Sequence, residues 1–302
     1  MRAVALLISL ALLGNSFIRA QSLGDSNFLS HIKTQLDSRP DGVYYYYAPS
    51  RNANLIIFDA NDYKMDTYRT EVSGATIEDA VAANPDAEFV INGSLFNHNS
   101  DEQTGPFYAP TGYVVRQGSV VWNTTGNAGD AAAALRYWLG QTADTSALKN
   151  GTSAASYVFG GKGHPTNIGS GVNNIYTAHG GLVSLIWEKG GAPHKQSSKD
   201  DADLSTYNAF AVGALKGYGV IGVDRDTGLL VIAVKNNLTI GSIYDMQDDL
   251  FSSGLDRALI VDGAGSIGLY AKSHDRYIRA RRHDSPSRID TIPSYILFKK
   301  ND

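Results

Sequence analysis

Residues 260–270 read IVDGAGSIGLY, and the way this stretch folds decides the architecture around it. Ala258, Leu259, Ile260 and Val261 form an apolar run of strand type that stops at one carboxylate, Asp262. Four very small residues come next, Gly263, Ala264, Gly265 and Ser266, before the chain returns to Ile267, Gly268, Leu269 and Tyr270. A tight hairpin accounts for the glycines. It does not account for an acid and a hydroxyl at the end of a buried strand. Small residues let backbone N–H groups approach a ligand, and a concave group of such N–H groups favours an anion. The stretch reads either as a hairpin turn or as one wall of an anion-accepting site.

Similar chemistry recurs elsewhere. VINGSLF, from Val90, is an apolar strand opening into Asn92, Gly93 and Ser94. YTAHGGLVSLI, from Tyr176, sets His179 and two glycines before an apolar strand. PTGYVVRQG, from Pro110, places Thr111 and Gly112 in a turn before a strand. Asp262 and His179 are plausible acid/base partners, since one titrates low and the other near neutrality. Asn92 and Ser266 can orient a hydroxyl or a phosphate oxygen. Each feature alone is an ordinary turn; their recurrence at strand ends, where ligands gather, is what points to a site.

Composition narrows the class. Arg2 followed by the apolar residues 3–13 and a small residue at Ala20 reads as an export signal, with Gln21 as the expected first mature residue. Secretion or delivery to the periplasm is therefore expected, without membrane insertion. The remaining chain is long enough for one large domain or two small ones. With no cysteine, an exported chain has no disulfide scaffold, thiol chemistry or Cys-ligated zinc. The net charge of −4 argues against a nucleic-acid partner. The sequons at Asn123, Asn150 and Asn237 are glycan acceptors only in a eukaryotic secretory route; the fourth, at Asn92, is expected to be inaccessible.

The periodicity predicts a helix over 26–37, strands over 43–47 and 54–58, a helix over 76–83 and a strand over 87–91. Residues 97–180 are irregular, with a helix predicted over 130–140 and two short strands around Gly118. Strands resume at 182–187, 209–214, 218–223 and 229–234, then a helix over 240–251 capped by Thr239, and strands at 257–261 and 294–298. The expected class is α+β, a large mixed β-sheet core with interspersed helices. Asp200, Asp201 and Asp203 read as a solvated acidic loop rather than a cation site, since the calcium-loop glycine and distal glutamate are missing. Arg279, Arg281, Arg282 and His283 read either as a solvated edge strand or as a phosphate contact.

In order and spacing, NGSLF, PTGYVV, HGG, GVIGVDRDTGLLVIAV, Gly241-Ser242 and LDRALIVDGAGSIGLY resemble the phosphodiester glycosidase family over roughly residues 50–300. The resemblance implies a single domain of that kind after residue 20. It implies hydrolysis of a sugar-1-phosphodiester, such as a GlcNAc-1-phosphodiester, at the anomeric carbon. No cofactor is implied, and a divalent cation is admitted. Asn92 and Gly93 match the family's NG motif, Thr111 and Gly112 its TG, and Asp262, Gly263, Gly265 and Ser266 its DGGGS. Arg288 matches the arginine before the last strand. Ala264 departs from the middle glycine, and Tyr218 stands where the family carries an arginine, with Lys216 two residues earlier. The roles expected are general base or water-orienting carboxylate for Asp262, second acid/base or phosphate donor for His179, and substrate positioning for Asn92, Ser266 and the 263–265 amides. Two alternatives use the same residues: a non-catalytic glycan- or phosphate-binding protein, and a hydrolase of another phosphodiester such as a nucleotide sugar or cell-wall polymer.

Overall fold

The structure is a computed structural model. It describes residues 22–70, 74–93, 96–99, 107–110, 112–122, 137–142, 157–162, 175–201, 204, 217–235, 242–264, 267–274, 276–279 and 292–301. Residues 1–21, with the expected export signal, lie outside them, as do Asn123, Asn150, Asn237 and the strand predicted over 209–214.

In chain order the elements are α1 (Phe28–Leu36), β1 (Val43–Ala48), β2 (Ala53–Asp59), β3 (Tyr63–Arg69), α2 (Ile77–Ala83), β4 (Ala87–Asn92), β5 (Phe96–Asn99), β6 (Phe107–Pro110), β7 (Val114–Arg116) and β8 (Ser119–Trp122). Then come β9 (Tyr137–Thr142), β10 (Tyr157–Gly160), β11 (Ile175–Lys189), β12 (Ala192–Lys195), β13 (Gly217–Asp224), β14 (Leu229–Lys235), α3 (Ile243–Ser252), β15 (Arg257–Ala264), β16 (Gly268–Ala271), β17 (Arg276–Arg279) and β18 (Ser294–Lys300).

The strands build two main sheets. The larger runs β1-β2-β14-β13-β15-β11-β7-β8, with β9 and β12 also on β11 and β10 on β9. The smaller runs β17-β16-β4-β18-β3. Their facing sides share one core, in which Ile56, Phe58, Ile232 and Val261 of the larger sheet meet Phe89, Ile91, Leu269 and Phe298 of the smaller. Phe58 is its aromatic centre, with ring centroids 4.5 Å from Tyr63, 5.1 Å from Phe89 and 5.5 Å from Phe298. Each such pair adds roughly 0.5–1.5 kcal/mol beyond area burial. The outer face of the larger sheet is covered by α1, through Phe28, Leu29 and Ile32, and by α3, through Ile243, Met246 and Leu250. The outer face of the smaller sheet is covered by α2, through Ile77 and Ala80. The order of layers is helix, sheet, sheet, helix.

The α+β class holds, with one difference of detail: every strand pairing among the described residues is antiparallel, where mixed directions were expected. Strands β14 and β15, joined by α3, run parallel to each other without pairing. Helix α3 does carry the chain across, but β13 lies between β14 and β15 and pairs antiparallel with both.

Local chemistry explains the boundaries. The β13–β14 turn is closed by the Asp224 carboxylate, which accepts from Asp226 N at 3.0 Å, with Gly228 at φ 72°. Helix α3 is capped by Ser242, not Thr239. The Ser242 hydroxyl accepts from Tyr244 N, and Asp245 closes a capping box. Of the helix predicted over 130–140, residues 130–136 lie outside the described residues; 137–140 belong instead to β9, where Tyr137 and Trp138 enter a ladder with β11 and β10.

Candidate active site

Strand β15 leaves its ladder by a bulge. Val220 pairs with Ile260 and Tyr218 with Gly263, so Val261 and Asp262 together face the single residue Gly219. Such an insertion bends a strand and re-aims the residues beyond it. Gly219 is needed here: a Cβ at that position would lie 2.6 Å from the Val261 side chain and 2.8 Å from Ile267. Beyond Ala264 the chain does not turn back, and the hairpin reading fails. β15 pairs with β13 and β11, whereas β16 pairs with β4 and β17 in the other sheet. The small-residue stretch is the link between the two sheets. Its far end is held by Asn92, fully buried at the end of β4, whose side-chain oxygen accepts from Gly268 N at 3.3 Å. The buried sequon asparagine is inaccessible, as expected.

His179 lies beside this link, inside a strand rather than at the end of one. β11 runs through fifteen residues. It pairs with β15 over residues 183–186 and passes, across His179, Gly180 and Gly181, into pairing with β7 and β9. Close approach is what the glycines provide. A Cβ on Gly112 would fall 2.7 Å from the Gly180 carbonyl oxygen and nearer still to Gly181 N. A Cβ on Gly93 would overlap the His179 ring and lie 2.7 Å from Ser294 Oγ.

The His179 side chain is fully buried. The Gly180 carbonyl can only accept, so its 3.1 Å hydrogen bond places the proton on Nδ1, and Nε2 accepts from the Ser294 hydroxyl at 3.0 Å. Both ring nitrogens are engaged within the protein. This arrangement favours a positioning role, with the ring bracing Ser294 and the Gly93 backbone, over direct proton exchange with a substrate. Desolvation pushes the imidazole down to about 4, against the weaker opposing hydrogen bond to Gly180. Its folded value lies below its unfolded one, so stability is full above the unfolded value of about 6.5 and is lost as pH falls toward 4. The loss attributable to this residue is at most about 3 kcal/mol. Urea titrations at pH 7.5 and pH 4.5 on the native protein and on His179→Gln check this. The variant should lose less stability than the native protein over that interval; equal losses would dismiss His179 as the source.

The remaining predicted residues divide. Tyr218 is buried on the helix-covered face, its hydroxyl donating to Ser242 O at 3.3 Å. That places it against α3, not between the sheets with His179 and Asn92. Gly263 and Ala264 are ordered backbone in β15, level with Tyr218 and Gly217. Thr111, Lys216, Gly265, Ser266 and Arg288 lie outside the described residues, as do Arg281, Arg282, His283 and the side chain of Asp262. β17, with Arg279, is an edge strand of the smaller sheet. The acidic loop is not simply solvated: Asp200 accepts from Ser197 N at 3.0 Å, and Asp201 is buried beneath Ser184. Among the described residues no three His, Asp or Glu side chains gather to hold a metal. One residue here was not anticipated, Ser294, which meets His179. Lys235, buried at the end of β14, lies beside Tyr218 on the helix-covered face.

The profile of the phosphodiester glycosidase family matches residues 85–299. The chain belongs to this family. No curated protein matches it. The catalytic domain of zebrafish N-acetylglucosamine-1-phosphodiester alpha-N-acetylglucosaminidase, solved in a state auto-inhibited by its pro-peptide, is similar in fold, with a TM-score of 0.54 and 12% identity over 86% of this chain and 82% of that one. A Burkholderia pseudomallei protein described as exported is similar with a TM-score of 0.52 and 13% identity, over 82% of this chain and 73% of that one. At such identities the likeness is one of fold.

Proposed function

We propose that this phosphodiester glycosidase is an exported hydrolase that cleaves a sugar-1-phosphodiester of the GlcNAc-1-phosphodiester type. The observation that carries the reading is the bulge at Val261-Asp262, where the strand leaves its ladder and crosses between the sheets beside the His179–Ser294 pair. In the proposed reaction a water oxygen bonds to the anomeric carbon and the bond from that carbon to the phosphate oxygen breaks. The water's proton passes to Asp262, and the phosphate departs as a monoester of the other component. A phosphate leaves more readily than an alcohol, so a strong general acid matters less than donors that stabilise the leaving group. The backbone N–H groups of residues 263–265 and the Ser266 hydroxyl fit that task. This route does not need the close pair of carboxylates used by most glycosidases. Asn92, Gly93, Gly112 and His179 set the spacing of the walls, and Thr111, Lys216 and Arg288 are assigned to the substrate by the family motif. Export is supported by the basic residue and apolar run at the N-terminus, and the Burkholderia protein of similar fold is described as exported. No helix among the described residues is long and apolar enough to cross a membrane.

Phosphorus NMR of the purified protein with a GlcNAc-1-phosphodiester, with and without EDTA, tests the reading. A new phosphomonoester signal together with free GlcNAc is expected in both samples. A signal seen only without EDTA would add a cation to the mechanism. Broadening of the substrate resonance with no product would overturn hydrolysis in favour of a binding protein.

A further inference from the structure

Four consecutive tyrosines fill β1, and the fold divides them between its two faces. Tyr44 and Tyr46 lie on the helix-covered side, where Arg39 stands over the first ring at 4.6 Å and Phe28 meets the second edge-on at 5.1 Å. Tyr45 and Tyr47, by strand alternation, face the smaller sheet beside their ladder partners Ile56 and Asn54. Strand β1 ends the larger sheet and β17 ends the smaller. Between these two edges is a cleft of about 230 Å³, walled by Tyr45, Tyr47, Asn54 and Ile56 on one side and by Ala271 and Ile278 on the other. The Tyr45 and Ser273 hydroxyls hydrogen-bond to each other and tie β1 to the turn after β16. The Tyr47 hydroxyl donates to Asn52 Oδ1 at 2.9 Å, which fixes a ring that is 51% exposed.

The lining defines the ligand class. Among the described residues no charged side chain lines the cleft, so it suits a neutral ligand. Its volume falls below the roughly 300–1,000 Å³ of sites that enclose drug-sized ligands, which leaves room for one ring. The tyrosines give rigid, flat contact area at small entropic cost. The Asn54 amide can both donate and accept, and among the described residues it has no hydrogen-bond partner. A pyranose presents the complement, a face of C–H groups bounded by hydroxyls; a purely apolar ligand would bury the amide unpaired. We infer that this cleft is a second saccharide site, taking one neutral pyranose against Tyr47 and Asn54. One register row runs from Tyr47 through Asn54, Val234 and Gly219 to the bulge at Val261-Asp262. The Tyr47 end of the cleft is therefore level with the candidate active site. The two are four strands apart in the sheet order, roughly 19 Å at about 4.8 Å per strand. One sugar cannot reach both, so the cleft holds a different unit of a longer glycan from the one whose bond is cleaved. That last step rests on the sugar-phosphodiester reading; the site itself does not.

The test is carbon-13 NMR of the full-length protein with ring-labelled tyrosine, the two signals being assigned with Tyr45→Phe and Tyr47→Phe. The probes are methyl N-acetylglucosaminide and cyclohexanol, a ring of similar size with a single hydroxyl. The glycoside should shift both signals saturably, and cyclohexanol should not. Read through the Tyr45 signal, Tyr47→Ala should weaken glycoside binding by about tenfold or more, as for loss of an aromatic anchor, and Tyr47→Trp should restore it. Position 47 is half exposed, so neither change should move the melting temperature by more than a few degrees. Turnover of a small GlcNAc-1-phosphodiester should be the same in Tyr47→Ala as in the native protein. Absence of shifts, equal shifts with cyclohexanol, or undiminished binding by Tyr47→Ala would overturn the inference. A parallel loss of turnover would also overturn it, by making the cleft part of the active site. If the native protein binds the glycoside at Tyr47 yet cleaves no phosphodiester, the catalytic reading falls and this one stands. If it cleaves the phosphodiester with no shift at Tyr45 or Tyr47, the reverse holds.

Discussion

Asp262→Asn should lower kcat by about 10²–10⁴, the range over which a positioned general base contributes, while leaving the melting temperature within a degree or two. The substitution keeps the shape of the side chain and removes its charge and basicity. The fold around it is set by other means: the bulge is dictated by the β13–β15 register and by Val261 packed against Gly219. Steady-state turnover of a GlcNAc-1-phosphodiester, with near-UV circular dichroism as the check on folding, decides it. A folded variant with native turnover would remove Asp262 from the mechanism.

Gly112→Ala has the largest expected effect on stability, a loss of more than about 3 kcal/mol. The added methyl would collide with Gly180 and Gly181 backbone, which has no rotamer by which to yield. Moving β7 away would break the hydrogen bond from Gly180 N to Tyr113 O, at 2.7 Å. Gly161→Ala is the control, since the nearest atom to its new methyl would be Trp187 Cζ2, at an ordinary 3.9 Å. Urea midpoints compare the two. An unchanged midpoint for Gly112→Ala would show that the approach of residue 112 to Gly180 and Gly181, beside the β7–β11 pairing, is looser than these distances require.

Much of the fold is legible in the sequence because the central strands are buried on both faces. Runs such as GVIGV and LLVIAV admit few other readings. Less legible is β3, Tyr63–Arg69, whose inward Tyr63, Met65 and Thr67 alternate with lysine, aspartate and tyrosine. Its apolar signal is half as dense, although the alternation itself was available. Strand β11 reads as shorter than it is, since Gly180 and Gly181 interrupt the apolar pattern where the strand changes partners. Asn92, Gly93, Gly112 and His179 stand out as unusual residues at strand ends, and the structure gathers them. Ser294 looks like any residue opening a strand; only the fold brings it to His179. The turn reading of residues 263–266 could not be rejected locally either, because whether β16 pairs with β15 is a fact about the rest of the chain.

The link between the sheets has an evolutionary consequence. Only residues 265–267 separate β15 from β16, so an insertion there would lengthen the tie that sets how far apart the sheets stand. Most surface loops accept added residues at small cost; this one is denied that freedom. Diversification must therefore be written elsewhere in the chain, in segments whose length does not fix the separation of the two sheets.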